Sequence, residues 1–201
     1  MSAVPSADRA PLSRATIVAA ARDVIAVDGL DAVSLRRLAT TLGVTAPALY
    51  AYVDDKRDLL RAVAEVQFDE LVARFARVDS ADPVQRLRLL SRVYLEFALE
   101  SPELFRTMFL FPPAVAFSDA TGDELPSATS AFDHALQAVR DAMAVGAIRD
   151  DLDENLVAFT TWTTTHGLAS VLLLGFDLDD AVRDVLIDTV LDTVIAGLRP
   201  E

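Results

Sequence analysis

The chain has 201 residues, 52% hydrophobic and 24% charged, which is the balance of a globular protein and not of a disordered one. It contains no cysteine, which excludes disulfides, thiolate metal sites and cysteine nucleophiles. The formal net charge of −13 is unevenly spread: residues 1–60 carry seven basic and seven acidic side chains, residues 61–201 eleven basic and twenty-four acidic, so only the N-terminal part can approach a polyanion.

Residues 1–12 carry Pro and Asp without a long apolar core, and are expected to form a disordered lead-in, not a signal peptide. The longest apolar run, at 171–175, is too short to span a bilayer, so a cytoplasmic protein is expected. Ser13 can cap a first helix in which Ile17, Ala21, Val24 and Ile25 keep helical spacing and which Gly29 can end. Ser34 caps a second, short helix (34–41) containing Leu35, Leu38 and Ala39. Leu42-Gly43-Val44 makes a tight break, and Thr45 caps a third helix (45–51) with Pro47 in its first turn, where a missing N–H costs little. Asp54 is expected to cap a fourth helix whose apolar face starts at Leu59, Leu60 and Val63.

Pro83 opens a fifth helix with Leu87, Leu90, Tyr94 and Phe97 on one face, and a shorter one follows over 102–110 until Pro112-Pro113 stops it. Residues 112–126, with Ser, Asp, Gly and Pro, read as a loop. Ser127 begins a helix that Gly146 ends, and the last two helices are expected over 153–174 and 178–196. No segment alternates with period two. The fold class is therefore all-α, about nine helices, with a helix-turn-helix domain over 13–58 and a second helical domain over 59–201.

The pair 34–41 and 45–51, joined by three residues, has helix-turn-helix dimensions. Small residues at the start of the second helix, Thr45, Ala46, Pro47 and Ala48, allow close approach to DNA. Tyr50 and Tyr52 stand where a purely packed helix would carry leucines, and Lys56 lies in the next helix's first turn, where its cation and free N–H groups can both meet a phosphate.

Gly43-Val44, Leu49-Tyr50, Tyr52-Val53, Lys56 and Leu59-Leu60, at this spacing, resemble the DNA-binding signature of the tetracycline-repressor (TetR) family. Ala19-Ala20-Ala21-Arg22 and Gly29-Leu30 extend the match, and Trp162 to His166-Gly167 resembles an element of one C-terminal subtype of that family. The resemblance implies that Ala46, Pro47, Ala48 and Tyr50 face the major groove, beside Ala51, where relatives carry a longer or polar residue. Arg36 would reach a base edge or phosphate, and Ser34, Thr45, Tyr50, Tyr52 and Lys56 would hold the DNA backbone. With few bidentate side chains on the recognition helix, Arg36 and DNA shape are expected to carry much of the specificity.

It also implies a homodimer on a palindromic operator, built through the last two helices: Leu156, Phe159, Ala169, Leu172 and Leu173 on one, Val182, Val185, Leu186, Thr189, Val190, Thr193 and Val194 on the other. Phe97, Phe105, Met108, Phe109, His134, Trp162, Thr163 and His166, with Phe111 and Phe176 nearby in composition, fit either a plain core or the lining of a site for a small apolar effector. His166 fits equally a ligand-facing group and a satisfied core histidine. Repression relieved by the effector is the expected mode, with activation, ligand-independent regulation or a protein-only adaptor as alternatives. No catalytic constellation, cofactor motif or metal-ligand spacing is present, so no enzyme, cofactor or metal is expected. The acidic runs 150–154 and 177–180 suit helix starts.

Overall fold

The computed structural model describes residues 11–111 and 125–200. Among these, nine α-helices and one 3₁₀ turn occur and no strand. They are α1 (Arg14–Asp28), a 3₁₀ turn (Leu30–Ala32), α2 (Leu35–Leu42), α3 (Ala46–Leu49), α4 (Lys56–Phe75), α5 (Pro83–Glu100), α6 (Pro102–Met108), α7 (Pro126–Ala144), α8 (Glu154–Leu172) and α9 (Asp180–Gly197). The expected loop at 112–126 and the lead-in at 1–12 lie almost wholly outside the described residues.

Short polar side chains start six of the nine described helices because they satisfy orphan N–H groups, whereas Thr45, expected to cap α3, makes no side-chain cap bond, and neither α6 nor α7 has one. Ser13 and Thr16 form a reciprocal capping box on α1, Ser34 accepts from the Arg37 N–H, and Asp82 accepts from the N–H groups of Val84 and Gln85. Two acidic runs supply caps as expected: Asp153 for α8 and Asp179 for α9. One start is shifted. Asp55, not Asp54, caps α4, accepting from the Asp58 N–H at 2.8 Å, and Asp54 donates its own N–H to the Asp58 carboxylate. The recognition helix is also shorter than 45–51: α3 ends at Leu49 and chain 50–52 continues as turns. Gly43, at φ 65° and ψ 36°, takes the left-handed conformation that lets α2 turn into α3 within three residues.

Helices α1 to α3 close around Ile17, Ile25, Leu38 and Leu49, each fully buried. α4 continues that core into the C-terminal part, since Leu59 and Val63 belong to the same packed cluster as Phe68 and Leu71. The 58/59 division expected from the sequence thus falls inside one continuous helix. α4 packs on α1, α6 and α7, while α5 packs on α7 and α8, and α6 also touches α1 and the 3₁₀ turn. No described helix is long and apolar enough to cross a membrane.

Candidate functional site

Two surfaces carry chemistry. The first is the outer face of α2 and α3. Leu49 and Val53 point into the core with 0% and 2% exposure, and this anchors the helix and turns its neighbours outward. Tyr50 is 57% and Tyr52 39% exposed, which rules out a core role for Tyr50. Ser34, Arg36, Thr45, Pro47, Ala51 and Lys56 are exposed as well, and Ala46 and Ala48 are half-buried on the inner edge of the same helix. The ten residues expected to meet DNA therefore fall on α2 and α3, on the caps that precede them, on the turn 50–52 after α3, or at the start of α4. The two adjacent arginines differ: Arg37 is ion-paired to Asp28 of α1, while the Arg36 guanidinium meets no acidic side chain among the described residues. Lys56 is the chain's single lysine and sits at the first position of α4.

A contact that sequence spacing could not show fixes this face. Arg14 donates to both Asp58 carboxylate oxygens, at 2.8 and 2.6 Å, and to the Tyr52 carbonyl at 2.7 Å. The guanidinium, through its hydrogen bonds, holds the Asp58 carboxyl below the ordinary aspartate value. The start of α1, the turn after α3 and the start of α4 are thereby joined at one point.

The second surface is internal. A narrow cavity of about 50 Å³ lies between α4, α5, α7 and α8. Phe68, Leu71 and Phe75 line it from α4; Leu87, Leu90, Ser91 and Tyr94 from α5. Ala128, Ala131, Phe132 and Ala135 come from α7, Thr161, Trp162 and Thr165 from α8, and Phe109 closes the end next to α6. No charged side chain borders it among the described residues.

Of the eight residues expected to bind an effector, Phe109 and Trp162 line this cavity. Phe105 and His166 stand just behind it, lining with Phe109 an outer groove of about 240 Å³ that also takes in Arg106, Ser170, Leu173 and Leu174. His166 touches the cavity wall through Tyr94, whose hydroxyl lies 2.7 Å from Nδ1. Burial raises the Tyr94 pKa, opposed by a hydrogen bond from Trp162, and burial lowers that of His166. Burial thus favours the neutral form of both groups, which share one hydrogen bond between the phenol oxygen and Nδ1. The other four stand elsewhere. Phe97 packs under the Arg74 guanidinium, 4.9 Å from its ring centre; Met108 is fully buried; His134 meets Phe75 edge-on at 5.9 Å. Thr163 is exposed and bonds back to the Phe159 carbonyl. Ser91, Thr161 and Thr165, all buried and all on the wall, escape sequence reasoning because a buried hydroxyl on a helix has no distinctive spacing.

The outer sides of α8 and α9 also sort themselves. Ala169 and Leu172, expected at a dimer interface, are buried within the monomer. Leu156, Val171, Leu174, Val182 and Val185 are 45%, 45%, 72%, 49% and 66% exposed.

Residues 17–63 match the family model of bacterial regulatory proteins of the tetR family, and residues 87–194 match that of the tetracyclin repressor-like C-terminal domain. An uncharacterised HTH-type transcriptional regulator of Mycobacterium tuberculosis is 26% identical over 191 residues, covering 94% of this chain and 83% of that protein. A solved protein of unknown function from Rhodococcus sp. RHA1 superposes with a TM-score of 0.80 at 29% identity, covering 97% of this chain and all of that one. A TetR variant from Acinetobacter baumannii in complex with minocycline shares the fold, with a TM-score of 0.68 at 20% identity over 93% of this chain and 96% of that one. The chain belongs to the tetracycline-repressor family of bacterial regulators and is a DNA-binding transcriptional regulator.

Proposed function

We propose that the chain acts in the cytoplasm as a homodimeric repressor on a palindromic operator and is released from it by a small, mainly apolar effector. One observation carries the reading: the apolar cavity is walled by α4, whose first turn is tied to the turn after α3 through Arg14 and Asp58. Ligand sites commonly span ~300–1,000 Å³. A cavity of about 50 Å³ must therefore widen to admit a drug-sized molecule, and the helices that part include α4. Phe109 gives a second route, since it ends α6, which packs on α1 and the 3₁₀ turn. The effector favours the widened state only to the extent that it binds that state better. The minocycline carried by the Acinetobacter protein supports a small-molecule site in this fold.

The dimer is inferred from the outer faces of α8 and α9. The face of α8 that runs through Leu156, Thr160, Thr163, Thr164, Gly167 and Val171 bears no charge. Each of its three threonine hydroxyls already bonds to the carbonyl four residues earlier, as do those of Thr189 and Thr193 on α9. Such a face can be dried against a second copy without stranding a donor. Two recognition helices would then be set for half-sites roughly 34–36 Å apart.

The test is a mobility-shift titration on DNA flanking the protein's own coding region, with and without a small-molecule extract of host cells. Two chains per palindrome and release by an extract fraction are expected. A one-chain complex, or a complex indifferent to every extract, contradicts the reading.

A further inference from the structure

The polar groups on the cavity wall differ in where their hydrogens go. The Thr161 hydroxyl donates to the Val157 carbonyl at 3.0 Å, and the Thr165 hydroxyl to the Thr161 carbonyl at 2.9 Å. The Tyr94 hydroxyl pairs with His166 Nδ1 at 2.7 Å. Ser91 remains. Among the described residues its hydroxyl meets only Thr165 Oγ1, at 3.3 Å, beyond the usual O–H···O range. At 7% exposure it is also out of reach of bulk water. Ser91 is therefore the wall hydroxyl whose hydrogen is held least tightly, and a buried donor gains most from an acceptor.

The remaining surroundings limit that guest. Six aromatic side chains, Phe68, Phe75, Tyr94, Phe109, Phe132 and Trp162, supply flat apolar surface. A carboxylate or ammonium would find no counter-charge, and an unpaired ion in such a site is strongly disfavoured.

We infer that Ser91 anchors the effector by donating one hydrogen bond, and that the effector is an uncharged, largely aromatic molecule bearing an acceptor oxygen of the ketone, lactone or ether type. This rests on the cavity being the effector site. The threonine hydroxyls beside Ser91 are committed to their own helix carbonyls, so a carbonyl oxygen gains from Ser91 and not from them.

Three matched probes test the assignment by titration calorimetry on the full chain: 2-acetylnaphthalene, its hydrocarbon counterpart 2-ethylnaphthalene, and the anion 2-naphthoate. The ketone should bind about tenfold more tightly than the hydrocarbon, the net effect of one buried hydrogen bond. Ser91→Ala should bind both alike, at the hydrocarbon's affinity, and naphthoate should be the weakest of the three. Equal binding of ketone and hydrocarbon to the unaltered protein, or a ketone preference that survives Ser91→Ala, overturns the role of Ser91 and leaves the cavity reading standing. Preferential binding of naphthoate overturns the ligand class. If no probe binds, or if Ala131→Leu, which fills the cavity, leaves binding unchanged, the cavity reading falls and the anchor with it. Thermal melts of both variants confirm that they remain folded.

Discussion

Arg14 grips Asp58 with two parallel hydrogen bonds, of 2.8 and 2.6 Å, across 44 residues of chain, and uses the same guanidinium to hold the Tyr52 carbonyl. The pair is partly exposed, Arg14 at 46% and Asp58 at 24%, so its direct worth to stability is at most ~1 kcal/mol. Its positioning role should be larger. Asp58→Asn is expected to weaken operator binding several-fold with a shift of only a few degrees in Tm, read by anisotropy titration and thermal melts. Because the folded carboxyl titrates below the ordinary 3.8, the stabilisation is present above pH 3.8 and lost as pH falls through the folded value. The melting difference between the protein and Asp58→Asn should therefore vanish in strong acid.

Burial holds the His166 imidazole below its ordinary value of 6.5. The folded state takes up its proton later than the unfolded chain, so this group's contribution is complete above pH 6.5 and declines as pH falls below it. The Tyr94 hydroxyl lies 2.7 Å from Nδ1, so Tyr94→Phe should move the His166 midpoint, as followed by NMR of the imidazole protons. An unchanged midpoint would show that the hydrogen bond contributes nothing.

Gly167 stands in the middle of the uncharged outer face of α8, and a Cβ there meets nothing within 4 Å. Gly167→Arg should leave the monomer folded, since a longer side chain raises helix propensity. A charge and bulk on the face proposed to meet a second copy should weaken association by about tenfold or more, measured by sedimentation equilibrium. Undiminished association would move the interface elsewhere.

Leu49 is the fully buried foot of the recognition helix. Leu49→Ala should cost ~2–5 kcal/mol in urea unfolding and loosen the helix that carries Tyr50.

The inward and outward sides of α2 and α3 were legible from the sequence because core and surface positions there alternate with helical spacing: the leucine at 49 inward, the tyrosine at 50 outward, the glycine at 43 at a forced turn. The DNA face also draws on residues near one another in the chain, which spacing can order. The cavity draws on four helices, and spacing says which side of a helix a residue takes without saying what lies opposite. His134 and Phe97 were therefore expected at the effector site and lie outside the cavity lining, while Ser91 gained its burial from α8, which is 74 residues away in the Thr165 contact. The one-residue shift at α4 arose because Asp54 and Asp55 are equally good caps until the Asp58 carboxylate takes the Asp54 N–H.

Arg36 and Lys56 should fail differently. Arg36→Ala should lower the ratio of operator to random-DNA affinity by ~1–3 kcal/mol, whereas Lys56→Ala should weaken both alike and reduce the salt slope by about 1. Competition titrations at several salt concentrations separate the two. Unchanged affinities for both DNAs in Arg36→Ala would remove it from specificity.

The most direct measurement is selection of genomic fragments by the purified protein at moderate salt, read by sequencing, beside a Tyr50→Ala, Lys56→Ala double variant. Enrichment of a palindrome that the double variant loses is the predicted result. No enrichment at any salt concentration, with or without added cell extract, or the same enrichment by the double variant, would contradict a dimeric operator binder that reads DNA through α3 and the start of α4.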